Sequence, residues 1–119
     1  MKPRTPPAPS APIPRATPLE IWSSPLVRSR WTRHGHYPEG ISAQAEQSCK
    51  NVGAILEAGG SGFEQVFKTL CFLADMKDFA AFNEVYAKYF TSNPARSCVA
   101  VKELPKGVLC EIEAIALKK

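Results

Sequence analysis

Proline is concentrated at one end of the chain, and this limits what that end can fold into. Nine of the eleven prolines lie within residues 1–40 of the 119-residue sequence. Proline lacks the amide hydrogen that a helix interior or a central strand needs, so such a run is typical of polyproline-like or disordered chain. Residues 21–37 show neither helical nor strand periodicity. We therefore divide the chain into a Pro/Arg-rich segment, residues 1–38, and a domain, residues 39–119.

The charge follows the same division. Residues 1–40 carry six basic and two acidic side chains, whereas residues 41–119 carry nine of each. The net charge of +4 therefore belongs to the leading segment, and the domain has no excess positive charge that would favour nucleic acid. No apolar run approaches the ~20 residues of a membrane helix, so we expect no membrane partner.

Four cysteines are spread over the domain, at Cys49, Cys71, Cys98 and Cys110. They form no C-x-x-C pair, and no histidine lies near them at the spacing of zinc ligands. This arrangement predicts no metal site and is typical of buried thiols in a reducing compartment, here the cytoplasm or the mitochondrion.

The spacing of apolar residues beyond residue 40 predicts five elements. In chain order they are a helix from 41 to 59–60, a strand at 66–73, a helix that starts after 75 and stops at 92–94, and strands at 97–101 and 108–117. Ser42 and Asp75 are the expected helix N-caps, and Gly59–Gly60 is the expected end of the first helix. The order predicts an α+β domain with both helices on one face of a sheet.

Three charged side chains are candidates for chemistry. Arg96 precedes a predicted strand, and a guanidinium can hold a carboxylate through two parallel hydrogen bonds. The alternative is a surface arginine in a loop. Glu111 and Glu113 lie two residues apart in the last strand, so they share a face at roughly 7 Å and could do acid–base work. The alternative for this pair is a solvated strand face, and Tyr86 is interpreted as core.

Residues 39–119 resemble the RidA/YjgF family, whose older labels include endoribonuclease L-PSP. The likeness is carried by residues 51–90 and, more specifically, by the segments PARSCV (94–99) and EIEAIA (111–116) at their observed separation. The resemblance implies a chorismate-mutase-like α+β fold, assembled as a homotrimer with ligand sites between subunits. It also implies that no metal or organic cofactor is used.

An activity and its residues come with this resemblance. The family hydrolyses reactive 2-imino and enamine acids, 2-iminobutanoate and 2-iminopropanoate, to 2-oxo acids and ammonia. Arg96 matches the arginine that grips the substrate carboxylate, and Glu111 matches the glutamate that positions or activates the attacking water. Cys98 matches a cysteine that lines the pocket, and Asn83 matches an asparagine with a supporting role. An imine carbon beside a carboxylate is already electrophilic, so the protein need only fix the carboxylate and aim a water.

The first 37 residues depart from the family pattern. A family member opens with a two-stranded hairpin that contributes a tyrosine and a strand, and neither is present here. Over residues 20–34, a reading frame shifted by two nucleotides permits codons for the family strand. We interpret part of residues 1–37 as out-of-frame translation, which a transcript without that alternative frame would refute. We expect the missing hairpin to leave an unpaired sheet edge and uncovered apolar surface.

Two other functions stay open at this point. One is a non-catalytic ligand-binding or regulatory protein, which the altered hairpin favours. The other is a nucleic-acid-binding or RNA-cleaving protein, which the older family labels and the basic leading segment suggest. The neutral charge of the domain opposes the second alternative.

Overall fold

The computed structural model describes residues 18–25 and 38–118, which form a four-stranded sheet with two helices on one face. In chain order the elements are β1 (Pro18–Ser23), α1 (Ile41–Ala58), β2 (Val66–Leu73), α2 (Phe79–Tyr89), β3 (Ala95–Ala100) and β4 (Cys110–Leu117). The expected α+β class is confirmed. Within these ranges no helix combines the length and apolarity needed to cross a bilayer.

The strands lie in the order β1-β4-β2-β3, and the two faces of the sheet carry different side chains. β4 runs antiparallel to β1 and β2, whereas β2 and β3 are parallel and are connected through α2. Directly paired residues project to the same face of a sheet. Thr69 and Cys71 of β2 pair with Arg96 and Cys98 of β3, so these four side chains share one face. The register places the following side chains on the opposite face: Trp22, Leu70, Phe72, Val99, Glu111 and Glu113.

The core lies between the helices and the first of these faces. On β4 every second residue from Cys110 to Ala116 is buried, and the residues between them are only partly buried. Phe82, Leu56 and Ile112 are among the largest fully buried side chains. Each contributes about 1.5–3 kcal/mol through removal of apolar surface from water. This burial holds both helices against one side of the sheet.

The first helix confirms one predicted boundary and corrects the other. Gly60 follows the end of α1 with φ 77°, and the N–H of Ser61 donates to the carbonyl of Leu56 at 2.8 Å. The predicted end at Gly59–Gly60 is therefore confirmed. The prediction of Ser42 as the N-cap is wrong. Gly40 occupies that position with φ 86°, and no side chain caps the helix, because the chain enters through a glycine-only backbone conformation.

The remaining boundaries lie close to their predicted positions. Asp75 accepts a hydrogen bond from the Lys77 N–H at 2.9 Å, but it caps the 3-10 turn Met76–Asp78 that precedes α2, and not α2 itself. The second helix ends at Tyr89, short of the predicted stop at 92–94. β3 begins at Ala95, two residues earlier than predicted, so Arg96 lies within a strand and not in a loop. β4 begins at Cys110 because Pro105–Gly107 forms a 3-10 turn.

A strand that the sequence did not predict, β1, lies inside the Pro/Arg-rich segment. It pairs with β4 over six residues, so this side of the sheet is not left unpaired, contrary to the expectation from the missing hairpin. Ile21 is only 4% exposed, and the Ser23 hydroxyl donates to the carbonyl of Ser48 on α1 at 3.1 Å. Only a few residues of β1 face the core, and they lie between Pro18 and Pro25. This explains why the sequence showed no alternation of buried and exposed residues here. The apolar face opposite the helices is exposed as expected, with Trp22 at 54% and Val99 at 45%.

Candidate functional site

Arg96 lies on an edge strand and turns its side chain toward α2. Its Nη1 donates a hydrogen bond of 2.5 Å to Oδ1 of Asn83. The guanidinium carbon lies 4.6 Å from the ring centroid of Tyr86 and 5.4 Å from that of Phe79. Asn83, Tyr86 and Phe79 project from one side of the same helix, at the i, i+4, i+7 spacing. Three contacts from one helix therefore hold the half-buried guanidinium in place, and the surface-loop alternative does not apply.

Tyr86 is itself held from the sheet. Its hydroxyl lies 2.7 Å from Oγ1 of Thr69, a hydrogen bond in which either oxygen can donate. The Tyr86 ring stacks on Phe90 with centroids 4.5 Å apart. Burial raises the pKa of Tyr86, so its hydroxyl is protonated at neutral pH. Tyr86 is a core residue, as the sequence indicated, and it also supports Arg96, which only the i, i+4, i+7 spacing from Phe79 could have suggested.

An open cleft of about 480 Å³ lies beside the guanidinium. Described residues that line it include Asn83, Tyr86, Phe90, Asn93 and Arg96, but neither Cys98 nor Glu111. A guanidinium has five N–H donors, and the bond to Asn83 uses one of them. A fixed arginine in a cleft that is also lined by amide and aromatic side chains can hold a small carboxylate ligand.

Cys98 lies two residues beyond Arg96 on the same face of β3 and packs against the core. Burial raises the pKa of the Cys98 thiol, while the charge of Arg96 and a hydrogen bond from Cys71 lower it. All four cysteines are free, and three of them are fully buried. Among residues 18–25 and 38–118, no cluster of three or more His, Cys, Asp or Glu side chains could hold a metal ion.

Glu111 lies on the opposite face of the sheet. It pairs with Phe72, whereas its neighbours Cys110 and Ile112 are buried against the helices. The whole of β2 separates β4 from β3. Within one chain, Glu111 therefore projects away from the side on which Arg96 and Asn83 meet. Partial burial raises the pKa of Glu111 from its ordinary value.

Glu113 shares the face of Glu111, as expected, but its close partner is Glu20 of β1. Burial raises the pKa of Glu113, and a hydrogen bond with Glu20 and the charge of Glu20 raise it further, whereas Lys68 lowers it. Two carboxyl groups in contact favour a proton held between them. Glu20 was not a candidate because β1 was not predicted.

The fold and the site define a class of small α+β proteins in which a guanidinium is fixed by a helix at the edge of a four-stranded sheet. The family model described as Endoribonuclease L-PSP matches residues 30–118. The chain belongs to this family, which is also the RidA/YjgF family.

Individual relatives support this assignment. The chain is 48% identical over 89 residues to the 2-iminobutanoate/2-iminopropanoate deaminase of Salmonella typhimurium, covering 71% of this chain and 70% of the relative. The structure of the YjgF gene product from E. coli is 38% identical with a TM-score of 0.76, covering 90% and 85%. That of E. coli TdcF with bound serine is 35% identical with a TM-score of 0.73, covering 94% of each chain. Against other curated relatives the chain spans 61% or 62% of their length.

Proposed function

We propose that this chain hydrolyses 2-imino acids such as 2-iminobutanoate and 2-iminopropanoate to 2-oxo acids and ammonia. The observation that carries the proposal is the guanidinium of Arg96, which Asn83 and Tyr86 hold beside an open cleft. A relative named as a deaminase of these two imines supports it. So does the serine in TdcF, because serine carries the same carboxylate beside a nitrogen-bearing carbon.

The reaction needs few groups. Arg96 binds the substrate carboxylate through two parallel hydrogen bonds and so fixes the neighbouring imine carbon. A water adds to that carbon, the nitrogen takes up protons, ammonia leaves and a carbonyl forms. Glu111 is the proposed base that takes the proton from the attacking water, and its raised pKa brings it closer to the operating pH. Asn83 positions Arg96 through their hydrogen bond. Cys98 lies two residues beyond Arg96, on the same face of β3.

The proposed site requires more than one copy of the chain. Arg96 and Glu111 lie on opposite faces of one sheet, so a Glu111 that acts on substrate at Arg96 comes from another copy. β3 is the edge strand among those that the structure describes, so a neighbouring copy can approach Arg96. The exposed side chains of Trp22 and Val99, together with the partly buried Phe72 that stacks on Trp22, provide an apolar surface that association would bury. The proposed assembly is a homotrimer.

A coupled assay tests the activity. Threonine dehydratase generates 2-iminobutanoate from threonine, and semicarbazide traps the imine that is left. The chain should reduce trapping, and Arg96→Ala should abolish this effect. Lys50→Ala is a matched control, because Lys50 is an exposed cation on α1 that pairs only with Glu46 in the described contacts. Equal activity in Arg96→Ala and the wild type would contradict the proposal.

A non-catalytic ligand-binding role is the second candidate, and the separation of Arg96 from Glu111 favours it. In that case the folded chain binds 2-oxobutanoate through Arg96 without accelerating loss of the imine. Isothermal titration with 2-oxobutanoate, run on the sample used for the assay, distinguishes the two.

No observed feature of the site favours RNA cleavage. Free thiols suit the cytoplasm or the mitochondrion as the location.

A further inference from the structure

Two thiols lie next to each other behind Arg96. Cys71 of β2 and Cys98 of β3 are direct partners in the parallel register, and both face the helices. The two thiols interact, because each alters the pKa of the other. Neighbouring strands lie about 4.8 Å apart, and a disulfide spans Cα separations of about 4.4–6.8 Å. The backbone thus already holds these two cysteines at a separation that a disulfide can span.

The two thiols differ in access and in charge environment. Cys98 is only partly buried, whereas Cys71 is fully buried. The thiolate is the reactive form of cysteine. Burial raises the pKa of both thiols, to about 12 for the fully buried Cys71, and the charge of Arg96 partly offsets this effect at Cys98. Cys98 is therefore placed to react first with an oxidant, and Cys71 is placed to react with the product.

β3 can shift slightly against β2 without breaking another strand pairing in the described sheet. It is an edge strand and is paired only with β2 among the described strands. Disulfides need Cβ atoms about 3.5–4.5 Å apart, which is closer than the ordinary spacing of parallel partners. A small movement of an edge strand can close that difference, and the strain makes the bond easy to reduce.

We propose that Cys71 and Cys98 form a peroxide-sensitive dithiol that closes to a reversible disulfide. The Cys98 thiolate attacks hydrogen peroxide, so that an S–O bond forms, the O–O bond breaks and hydroxide leaves. The Cys71 sulfur then attacks the sulfenic sulfur, an S–S bond replaces the S–O bond, and the thiol proton leaves with the oxygen as water. In total, two thiols lose two electrons and two protons, and one peroxide becomes two waters.

Peptide mapping tests this without reference to any enzymatic activity. Trypsin places the four cysteines in separate peptides, residues 34–50, 69–77, 97–102 and 107–118. The native full chain is treated with hydrogen peroxide, quenched, alkylated under denaturing conditions and digested without reductant. We expect peptides 69–77 and 97–102 to be joined, and to separate after dithiothreitol. Cys49 and Cys110, both fully buried, should be alkylated as free thiols.

Two variants sharpen the result. Cys71→Val replaces a buried thiol with an apolar side chain of similar size, and should leave Cys98 to oxidise further to sulfinic acid. Cys49→Val, the matched control in the same core, should still form the bond. If a variant fails to fold, the wild-type map alone decides. Sulfinic Cys98 beside an alkylated Cys71 in the wild type would overturn the proposal. So would a joined pair that includes Cys49 or Cys110, or an unreacted pair at a peroxide concentration that oxidises the denatured chain.

Discussion

Tyr86 connects the stability of the core to the position of Arg96, and two substitutions separate these contributions. Tyr86→Phe keeps the ring 4.6 Å from the guanidinium and removes the hydroxyl that bonds Thr69. Thr69 is 1% exposed, so its Oγ1 loses its partner away from water, at a cost of about 1–3 kcal/mol. Tyr86→Leu also removes the ring, and with it a cation–π contact worth about 1 kcal/mol at a partly buried site.

Tyr86→Leu should therefore reduce activity as well as stability, whereas Tyr86→Phe should reduce stability alone. We expect Tyr86→Phe to lower the free energy of unfolding by about 1–3 kcal/mol and to leave kcat/KM for 2-iminobutanoate unchanged. Tyr86→Leu should also lower kcat/KM, by about fivefold. Urea unfolding followed by circular dichroism measures the stability, and the semicarbazide assay measures kcat/KM. Equal losses of kcat/KM in both variants would refute the role of the ring in positioning Arg96.

Four further substitutions or conditions test other parts of the account. Arg96→Lys keeps the charge but loses the second parallel hydrogen bond, so kcat/KM in the semicarbazide assay should fall by about ten- to a hundredfold; turnover near that of the wild type would contradict the carboxylate clamp. Glu111 must be ionised to act as a base, and its pKa is raised, so kcat should begin to fall at a higher pH on acidification than it would for a carboxylate with an ordinary pKa. A pH profile in which kcat does not fall on acidification would contradict a role for Glu111 as the base. The pKa of Glu113 is raised in the folded state, so the folded chain binds a proton more readily than the unfolded chain, and stability falls as pH rises between the two pKa values. Glu113→Gln should therefore be more stable than the wild type in urea at neutral pH and lose that advantage in acid. Ile21→Ala should cost about 2–5 kcal/mol of unfolding free energy if β1 is part of the sheet, and a negligible cost would argue against the strand.

Strong local patterns made most of the fold predictable. Val66–Leu73 combines β-branched and aromatic residues and was predicted at its observed bounds, and Asp75 gave the start of the second helical region. β1 was not predicted because its six residues begin with Pro18 and are closely followed by Pro25. In addition, these residues form a strand through pairing with β4, which is distant in the sequence. Such pairing is long-range and leaves little trace in a short segment.

The site was predictable in its residue types and not in its arrangement. Arg96 and Asn83 were matched through the family resemblance, and the structure brings them together. Thr69 was not identified because its contact with Tyr86 crosses from sheet to helix, which no sequence spacing encodes. The placement of Glu111 on the far face follows from the register between β4 and β2. The sequence predicts that buried and less buried residues alternate along β4, but it does not show which strand pairs with β4.

The central claim is that Arg96 of one copy acts with Glu111 of another. Mixing two inactive variants, Arg96→Ala and Glu111→Gln, after joint unfolding and refolding tests it most directly. Each site then draws at random on two copies, so an equal mixture should regain about a quarter of the wild-type rate of imine hydrolysis. A mixture no more active than its components, from variants that bind each other, would contradict a site shared between copies.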